Sequence, residues 1–231
     1  MMDFLSGLDW SPLWISLKTG AAATVICFFA GIYAAGFVMR LKPSVKAVVD
    51  GFFTLPLVLP PTVAGFFLLL IFSKRRPIGI FLWENFNIKV VQSWLGLLIA
   101  ASVIAFPLMY RNARSAFELV DINLIHAGRT LGMTETEIFW KIVVPTAGPG
   151  IAGGTILTFA RALGEYGATS MLAGNIPGKT ATISQRIAMV IQDQDYVTGG
   201  FWVLIVLIIA FLSILGLNLI TGAHMKNVHR W

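Results

Sequence analysis

The chain has 231 residues, of which 57% are hydrophobic and only 12% are charged, with 17 Lys and Arg against 11 Asp and Glu. Soluble domains are typically about 45–50% apolar and about 25% charged, so this composition argues against a soluble globular protein. The single cysteine, Cys27, excludes a disulfide scaffold. The excess of six positive charges forms no basic stripe, so nucleic acid is not a predicted partner. Membrane lipid is the predicted surrounding.

Five stretches contain no Asp, Glu, Lys or Arg over 21, 23, 21, 19 and 30 consecutive residues. A spanning helix needs roughly 20 residues, since each adds about 1.5 Å against a hydrocarbon core of about 30 Å. The predicted fold class is therefore an all-α polytopic membrane protein with about five transmembrane helices. The predicted spans are 15–39, 51–73, 90–110, 146–172 and 200–222. The first is too long for a signal peptide, so we expect it in the mature protein.

An odd number of spans places the termini on opposite sides of the membrane. The loops on the C-terminal side carry nine Lys and Arg, and those on the N-terminal side carry seven. Cytoplasmic loops are enriched in these residues, so the tally favours a cytoplasmic C-terminus, by a small margin.

The most polar segment, 111–141, has the apolar spacing of short amphipathic helices. We expect a break between them around Gly132. Thr134 and Glu137 have the spacing of a capping box, in which each side chain binds the other residue's backbone N–H at the start of a helix. This segment is predicted to form a rigid knob at the membrane surface.

The residues of this knob resemble a family signature. His126-Ala127-Gly128 is followed after three residues by Gly132, and after nine more by Ile-Val-Val-Pro at 142–145. This resembles the pattern of importer-type ABC permeases, which is Glu-Ala-Ala, three residues, Gly, nine residues, Ile-x-Leu-Pro. The spacing matches throughout. His126, Gly128 and Val144 differ from the family residues.

Further stretches resemble the molybdate branch of these permeases, whose near relatives transport sulfate and tungstate. They include Leu-Pro-Leu-Val-Leu-Pro-Pro at 55–61 and Phe-Ala-Arg-Ala-Leu-Gly-Glu-Tyr-Gly-Ala at 159–168. Residues 76–79, 127–132 and 175–178 fit the same branch. The resemblance covers essentially the whole chain and implies a single type I permease domain over residues 1–231.

In that family the knob, here 118–141, docks into a groove on a separate ATPase subunit. The resemblance thus implies that it is cytoplasmic, with the N-terminus outside and the C-terminus inside. Ala127 and Gly128 are small enough to let a partner approach the backbone, Gly132 permits a positive φ, and Pro145 can begin the next helix. The predicted ATPase-coupling residues are His126, Ala127, Gly128, Arg129, Gly132 and Pro145.

Two charges are predicted inside the fourth span. Arg161 and Glu165 lie four residues apart, so they would share one helix face near its middle. Each charge costs roughly 2.5–3.5 kcal/mol at bilayer depth. The pair either gates a translocation pathway or holds helices together. Because Glu165 neutralises Arg161, the pair is better suited to setting helix geometry than to binding an anion.

Other candidate pathway residues lie in the second and fourth spans. Pro56, Pro60 and Pro61 interrupt the hydrogen-bond ladder, either as a kink that neighbouring helices satisfy or as a discontinuous helix that lines the pathway. Thr169 and Ser170 offer hydroxyl donors to a passing anion, or bond back to their own helix.

A basic run, Lys74-Arg75-Arg76, falls outside the membrane in this topology. It serves either to anchor the chain at lipid headgroups or to attract an incoming oxyanion or an acidic binding protein.

The sequence shows no catalytic or cofactor site. Residues 174–180 resemble a P-loop, but three residues separate the glycines where that motif has four. The histidines and Cys27 have no metal-ligand spacing. We therefore expect no cofactor in this chain, with ATP and Mg²⁺ bound by a partner ATPase.

The resemblance implies the permease subunit of an ATP-driven importer in the cell's inner membrane, which moves molybdate by alternating access. Its implied partners are a second copy of the chain, ABC ATPase subunits and an extracytoplasmic substrate-binding protein. Sulfate or tungstate is the alternative substrate. A stand-alone channel or an ion-coupled transporter is the alternative from another class.

Overall fold

Helices form nearly all of the regular structure in the computed structural model, which describes the backbone of residues 7–228 and the side chains of residues 7–219. No β-strand occurs in this part of the chain, which confirms the all-α prediction. A π-helical turn, Phe139–Val143, separates α7 from α8. In chain order, the helices are α1 (Ser11–Met39), α2 (Pro43–Val58), α3 (Pro61–Phe72), α4 (Pro77–Phe86), α5 (Trp94–Glu118), α6 (Ile122–Thr130), α7 (Glu135–Ile138), α8 (Val144–Thr146), α9 (Gly148–Leu163), α10 (Gly167–Ala173), α11 (Ile183–Gln192) and α12 (Tyr196–Val228).

Three of these helices, α1, α5 and α12, are long and apolar enough to cross a membrane alone. Two bent pairs reach the required length together. The pair α2 and α3 bends by 109°, and the stretch Glu135–Thr146 meets α9 at 71°. By length and composition the described residues thus hold three spans, or up to five if each bent pair counts as one.

The predicted second span, 51–73, is not one helix. Leu59 and Pro60 are extended, with ψ of 141° and 132°, and separate α2 from α3. Each of them precedes a proline, and the ring of a following proline disfavours helical backbone. Pro61 then begins α3, while Pro56 stays inside α2. The helix is therefore discontinuous at this point, and its part in lining a pathway stays a prediction.

The predicted fourth span, 146–172, is also interrupted. α9 ends at Leu163, and residues 164–166 connect it to α10. Pro145 lies in the first turn of α8, as predicted for a proline, but the chain is already helical from Glu135 and α8 directly continues the π-helical turn. The bend follows at Ala147, between α8 and α9.

Three predicted loops contain helices. The loop 40–50 holds the first half of α2, which begins at Pro43, where the missing N–H of proline costs nothing. The loop 74–89 contains α4, and the segment 173–195 contains α11. The uncharged stretches therefore located the apolar helices but missed the charged turns at some of their ends, as for α5, which runs on to Glu118.

The core lies where α1 packs along α5. Small residues recur every four positions on α1, and three of the four facing positions on α5 are alanine, so the two backbones approach closely, as is usual for helices in lipid. A Cβ at Gly31 would lie only 2.7 Å from Met109 Cγ. The buried residues of this contact are Ala23, Cys27, Gly31 and Ala35 on α1, and Ala101, Ala105, Met109 and Ala113 on α5.

We expect Gly65→Ala to destabilise the protein by about 1–3 kcal/mol, the usual cost of overpacking. A Cβ at Gly65 would lie 2.7 Å from Ala168 Cα, and backbone cannot move aside cheaply. The control is Gly51→Ala in α2, where nothing lies within 4 Å and alanine should gain up to about 1 kcal/mol from helix propensity. Chemical unfolding of the detergent-solubilised protein, followed by circular dichroism, measures both. Equal stability of the two variants would contradict the proposed packing.

Candidate functional site

The predicted coupling segment, 118–141, folds as two helices joined by a tight turn. Asp121 caps α6 by accepting a hydrogen bond from the Asn123 N–H at 2.9 Å. Gly132 has a φ of 76°, as expected. The Met133 N–H donates to the Gly128 carbonyl at 3.1 Å, and the Gly132 N–H donates to the Arg129 carbonyl at 3.0 Å. These two bonds form a Schellman motif, which ends α6 with glycine at its left-handed position.

The second helix of the segment begins with the predicted capping box. Thr134 Oγ1 accepts from the Glu137 N–H at 3.3 Å, and the Glu137 carboxylate accepts from the Thr134 N–H at 3.0 Å. Lys141 also binds this carboxylate, at 2.8 Å. Lys141 and Thr134 together lower the pKa of Glu137, which lies outside the predicted spans, from 4.5 to about 2. The carboxylate that caps the helix therefore stays ionised across the physiological pH range.

An exposed ion pair joins the two helices across the turn. Arg129 donates from Nε and Nη2 to the two carboxylate oxygens of Glu135, at 2.7 and 3.2 Å. This two-pronged bond lowers the pKa of Glu135 below its usual value. Within the segment, Arg129 is therefore occupied by its own chain, and the turn is held by backbone and side-chain bonds together.

The side chains that the segment presents outward are partly those predicted. His126 and Ala127 are exposed, whereas Gly128 is buried against its own chain. A Cβ at Gly128 would lie 3.0 Å from Ile142 Cδ1 and 3.1 Å from Ile138 Cγ1. Its small size therefore lets α6 pack on the following helix. The suggestion that it lets a partner approach the backbone is wrong for Gly128 and fits Ala127.

The segment also exposes apolar side chains that the sequence analysis did not single out. Leu119 and Leu131 are 83% and 80% exposed, and Ile122 at the start of α6 is 55% exposed. Leucines with so much exposed surface on a rigid segment mark a surface suited to a protein partner. Leu131 directly precedes Gly132 in the sequence, so its place at the predicted turn was an available signal.

The predicted pathway residues Arg161 and Glu165 do form an ion pair, with Nη1 and Oε2 2.7 Å apart. Glu165, however, lies in the connection between α9 and α10, so the two do not share a face of one helix. Its second carboxylate oxygen accepts from the Ala168 N–H at 2.7 Å. Glu165 is only 2% exposed, and both of its oxygens are bonded. It thus ties the end of one helix to the start of the next.

The break between α2 and α3 lies beside the connection between α9 and α10. A Cβ at Gly167, where α10 begins, would lie 3.0 Å from Pro61 Cβ and 3.2 Å from the Thr62 nitrogen. The contact between Gly65 and Ala168 continues along the same helix pair. The structure therefore brings the Pro60–Pro61 break together with the connection that holds Glu165, two features that lie about a hundred residues apart in the sequence.

The two candidate hydroxyls are used within the protein. Thr169 is buried, and its hydroxyl donates to the carbonyls of Glu165 and Tyr166 at 3.2 and 3.0 Å. Ser170 Oγ accepts a long bond from Gln185 Nε2, at 3.5 Å. The Thr169 hydroxyl therefore bonds back to its own chain, which was one of the two predicted alternatives. Its O–H is then not available to bind an anion.

The sequence analysis missed a network of ion pairs that joins α2 to α5. Arg114 pairs with Asp50, and its Nε donates to Glu118 Oε1 at 3.0 Å. Lys46 binds the same oxygen at 3.1 Å. The buried Tyr110 donates its hydroxyl to Asp50 Oδ1 at 2.8 Å. The network fixes the first half of α2 against the end of α5, next to the coupling segment.

A sequence signal for this network exists in its spacing. Lys46 and Asp50 lie four residues apart, as do Tyr110, Arg114 and Glu118, so each set shares one helix face. They were overlooked because α2 and α5 extend past the uncharged stretches, and their charged turns were counted as loops.

The basic run Lys74-Arg75-Arg76, which follows the C-terminal end of α3, is exposed. The Lys74 ammonium lies over the Trp83 ring of α4, 2.9 Å from its centroid. A lysine stacked on a tryptophan is the arrangement expected of an anchor at the membrane interface.

Metal and nucleotide sites are not apparent in the described structure. No group of three or more His, Cys, Asp and Glu in this part of the chain could hold a metal ion. The residues resembling a P-loop follow α10, whereas a P-loop follows a strand.

Residues 28–229 match the family described as binding-protein-dependent transport system inner membrane component. The chain belongs to this family. It is therefore a multi-pass membrane protein of a transport system, and its helices supply the spans that such a component needs.

The family member from Escherichia coli K12 named molybdenum transport system permease protein ModB is 40% identical to the chain, over 91% of this chain and 93% of that protein. A putative molybdenum transport permease of Bacillus subtilis, YvgM, is 37% identical over 89% and 90%. The sulfate transport permease CysT of Escherichia coli K12 is 28% identical over 97% and 85%.

Solved structures of ABC transporters share the fold. The MetNI methionine transporter, in inward-facing conformations, superposes with a TM-score of 0.71 at 16% identity, over 92% of this chain and 94% of that chain. An amino acid ABC transporter with histidines gives a TM-score of 0.60 at 21% identity, over 97% and 93%. These likenesses confirm the predicted permease fold.

We expect Arg161→Ala to destabilise the protein by about 3 kcal/mol, since it leaves the buried Glu165 carboxylate without its cation. Adding Glu165→Gln should recover part of this loss, because a neutral amide oxygen can still accept from the Ala168 N–H. The control is Lys141→Ala, which breaks an exposed pair and should cost about 0–1 kcal/mol. Chemical unfolding followed by circular dichroism measures all three. If the double variant is no more stable than Arg161→Ala, the pair does not have this structural role.

Proposed function

We propose that this chain is the membrane-spanning permease subunit of an ATP-driven importer of molybdate. The observation that carries the proposal is the 40% identity to a molybdenum transport permease across nearly the whole of both chains. The sulfate permease of the same organism is 28% identical to the chain, so sulfate is a less supported substrate than molybdate. Tungstate is the other alternative substrate. ATP would be hydrolysed by separate ABC ATPase subunits, with substrate delivered by an extracytoplasmic binding protein.

The coupling segment 118–141 is the surface that we assign to the ATPase. Three features support this assignment: its local hydrogen bonds make it rigid, it exposes Leu119 and Leu131, and it exposes His126 and Ala127. The exposed leucines share the segment with a charged pair, Arg129 and Glu135. A surface that mixes apolar and charged side chains fits a groove on a partner protein better than it fits lipid. The imidazole of His126 replaces the family's glutamate at the proposed contact.

This assignment sets the proposed topology. The segment faces the cytoplasm, so the N-terminus is outside and the C-terminus is cytoplasmic. The tally of nine against seven Lys and Arg agrees. α1, α5 and α12 would cross the membrane as single helices, and each bent pair would supply a further crossing.

The proposed pathway lies between two copies of the chain. Helix α2 buries none of its residues within a single chain and exposes Val48, Phe52 and Val58. A second copy, related by twofold symmetry, would cover this helix. The Pro60–Pro61 break would then line the pathway with freed backbone groups, while Arg161 and Glu165 hold the adjoining helices in place.

In the proposed cycle, closure of two ATPase subunits moves the two coupling segments together. The spans then reorient and open outward, and the binding protein releases the oxyanion into the pathway. Hydrolysis reverses the movement and discharges the oxyanion inward. This is alternating access, in which the energy of ATP selects between two arrangements of the same helices.

Reconstitution with the candidate partners tests the proposal. Proteoliposomes that contain the chain, its ATPase and its binding protein should take up radiolabelled molybdate only when ATP is inside. Competition with unlabelled tungstate and sulfate ranks the substrates. Uptake by the chain alone, without ATP, would identify a channel or an ion-coupled transporter. Displacement by sulfate at lower concentration than by molybdate would move the assignment to the sulfate permeases.

We expect Gly132→Val to abolish substrate-stimulated ATP hydrolysis in this complex while the protein still inserts in the membrane. Nothing lies within 4 Å of a Cβ at Gly132, so valine would act only through the positive φ that a β-branched residue resists. The matched control is Gly132→Asn, because asparagine accepts left-handed backbone and should keep most of the stimulation. Full stimulation in the valine variant would contradict the role of this turn.

A further inference from the structure

The coupling segment's outgoing helix contacts the first long helix, α1, through aromatic side chains. Phe139, the first residue of the π-helical turn, lies against Gly36 of α1. A Cβ at Gly36 would lie 2.7 Å from Phe139 Cζ and 2.8 Å from Cε2. The ring therefore fills the space that any other residue at position 36 would occupy.

Other side chains hold this ring in place. Phe117, near the end of α5, meets it edge to face, with ring centroids 5.3 Å apart. The guanidinium of Arg40, one turn beyond Gly36, lies 5.9 Å from the ring centroid. The neighbouring Trp140 packs edge to face on Tyr33 of α1, with centroids 5.5 Å apart. The two consecutive aromatic residues thus contact α1 at Gly36 and Tyr33, which lie about one helical turn apart.

The backbone around Phe139 is also unusual. The Val144 N–H donates to the Phe139 carbonyl, a bond over five residues that makes the turn π-helical. Single π-helical turns within α-helices are frequent at functional sites. This turn follows directly on the capping box of α7, so Phe139 is continuous with the rigid part of the coupling segment.

We propose that Phe139, seated in the notch at Gly36, is the positioning residue that passes movement of the coupling segment to α1. This inference rests on the proposed function. The Phe139 ring packs directly on the Gly36 backbone, with no flexible side chain between them that could absorb a displacement. Well-packed interfaces of this kind switch between discrete arrangements and do not deform continuously. A displacement of the segment therefore displaces α1, and α1 carries α5 with it through their close contact.

The decisive variant is Gly36→Ala, whose added methyl group must push the ring out of its seat. Its control is Gly20→Ala on the same helix, where the Cβ would lie 3.4 Å from Phe159 Cε2, an ordinary contact away from α5 and from the coupling segment. The readout is the change in affinity of the complex for its binding protein when a non-hydrolysable ATP analogue is added. This ratio measures coupling between the two sites and is not altered by a uniform loss of stability.

In the wild-type complex we expect this ratio to lie in the roughly 5- to 150-fold range of ordinary allosteric coupling. In Gly36→Ala it should fall close to one, whereas Gly20→Ala should keep the wild-type ratio. Phe139→Leu, a milder change, should also lower it. The combination of Gly36→Ala with Phe139→Leu should be less impaired than the sum of the two, because the smaller side chain makes room for the methyl group.

The outcomes separate the inference from the proposed function. If the wild-type complex shows no effect of the nucleotide on the binding protein, the proposed function fails. If the wild-type responds, and Gly36→Ala and Phe139→Leu both keep its full ratio, the role of Phe139 is refuted. A drop in Gly20→Ala as large as in Gly36→Ala also refutes it, since the loss would then follow from packing along α1 in general.

Discussion

The structure depends on close contact between helices at residues with little or no side chain. Lipid offers no hydrophobic drive for one helix to leave it for another, so association rests on packing that brings backbones together. Gly31 meets Met109 on α5, Gly65 meets Ala168 on α10, and Gly36 receives Phe139, each where a Cβ would lie 2.7 Å from its neighbour. These contacts fix the long helices, one of the two bent regions and the base of the coupling segment.

Close packing also explains how the chain tolerates interrupted helices. Backbone groups that lose their helical partners must be satisfied within the protein where water is absent. The connection after α9 meets this requirement through Glu165, which binds the Ala168 N–H and Arg161 with separate oxygens. The Pro60–Pro61 break lies against the same region, because Gly167 lets Pro61 approach. An ion pair that reads as a candidate for transport chemistry is thus better explained as the part that makes a broken helix stable.

The sequence predicted features that depend on local chemistry. The capping box at Thr134 and the left-handed turn at Gly132 follow from the residues themselves, and both formed as expected. Features that depend on distant contacts were not predictable in the same way. The network around Arg114 needs α2 and α5 to be side by side, and the burial of Gly128 needs α6 to fold back on Ile138 and Ile142. Uncharged length also could not reveal a 109° bend, since it counts residues and ignores their direction.

The coupling segment is held together mainly by bonds between its own residues. Its stabilising bonds, the Schellman motif, the capping box and the pair between Arg129 and Glu135, all lie within the segment. Such a unit moves as one body, and its effect on the spans depends on where it touches them. The aromatic grip at Phe139 lies at that junction, where the segment's last helix turns toward the membrane. A rigid segment transmits a displacement only if the contact beyond it is also rigid, and a ring packed directly on a glycine backbone is a close contact of low compressibility.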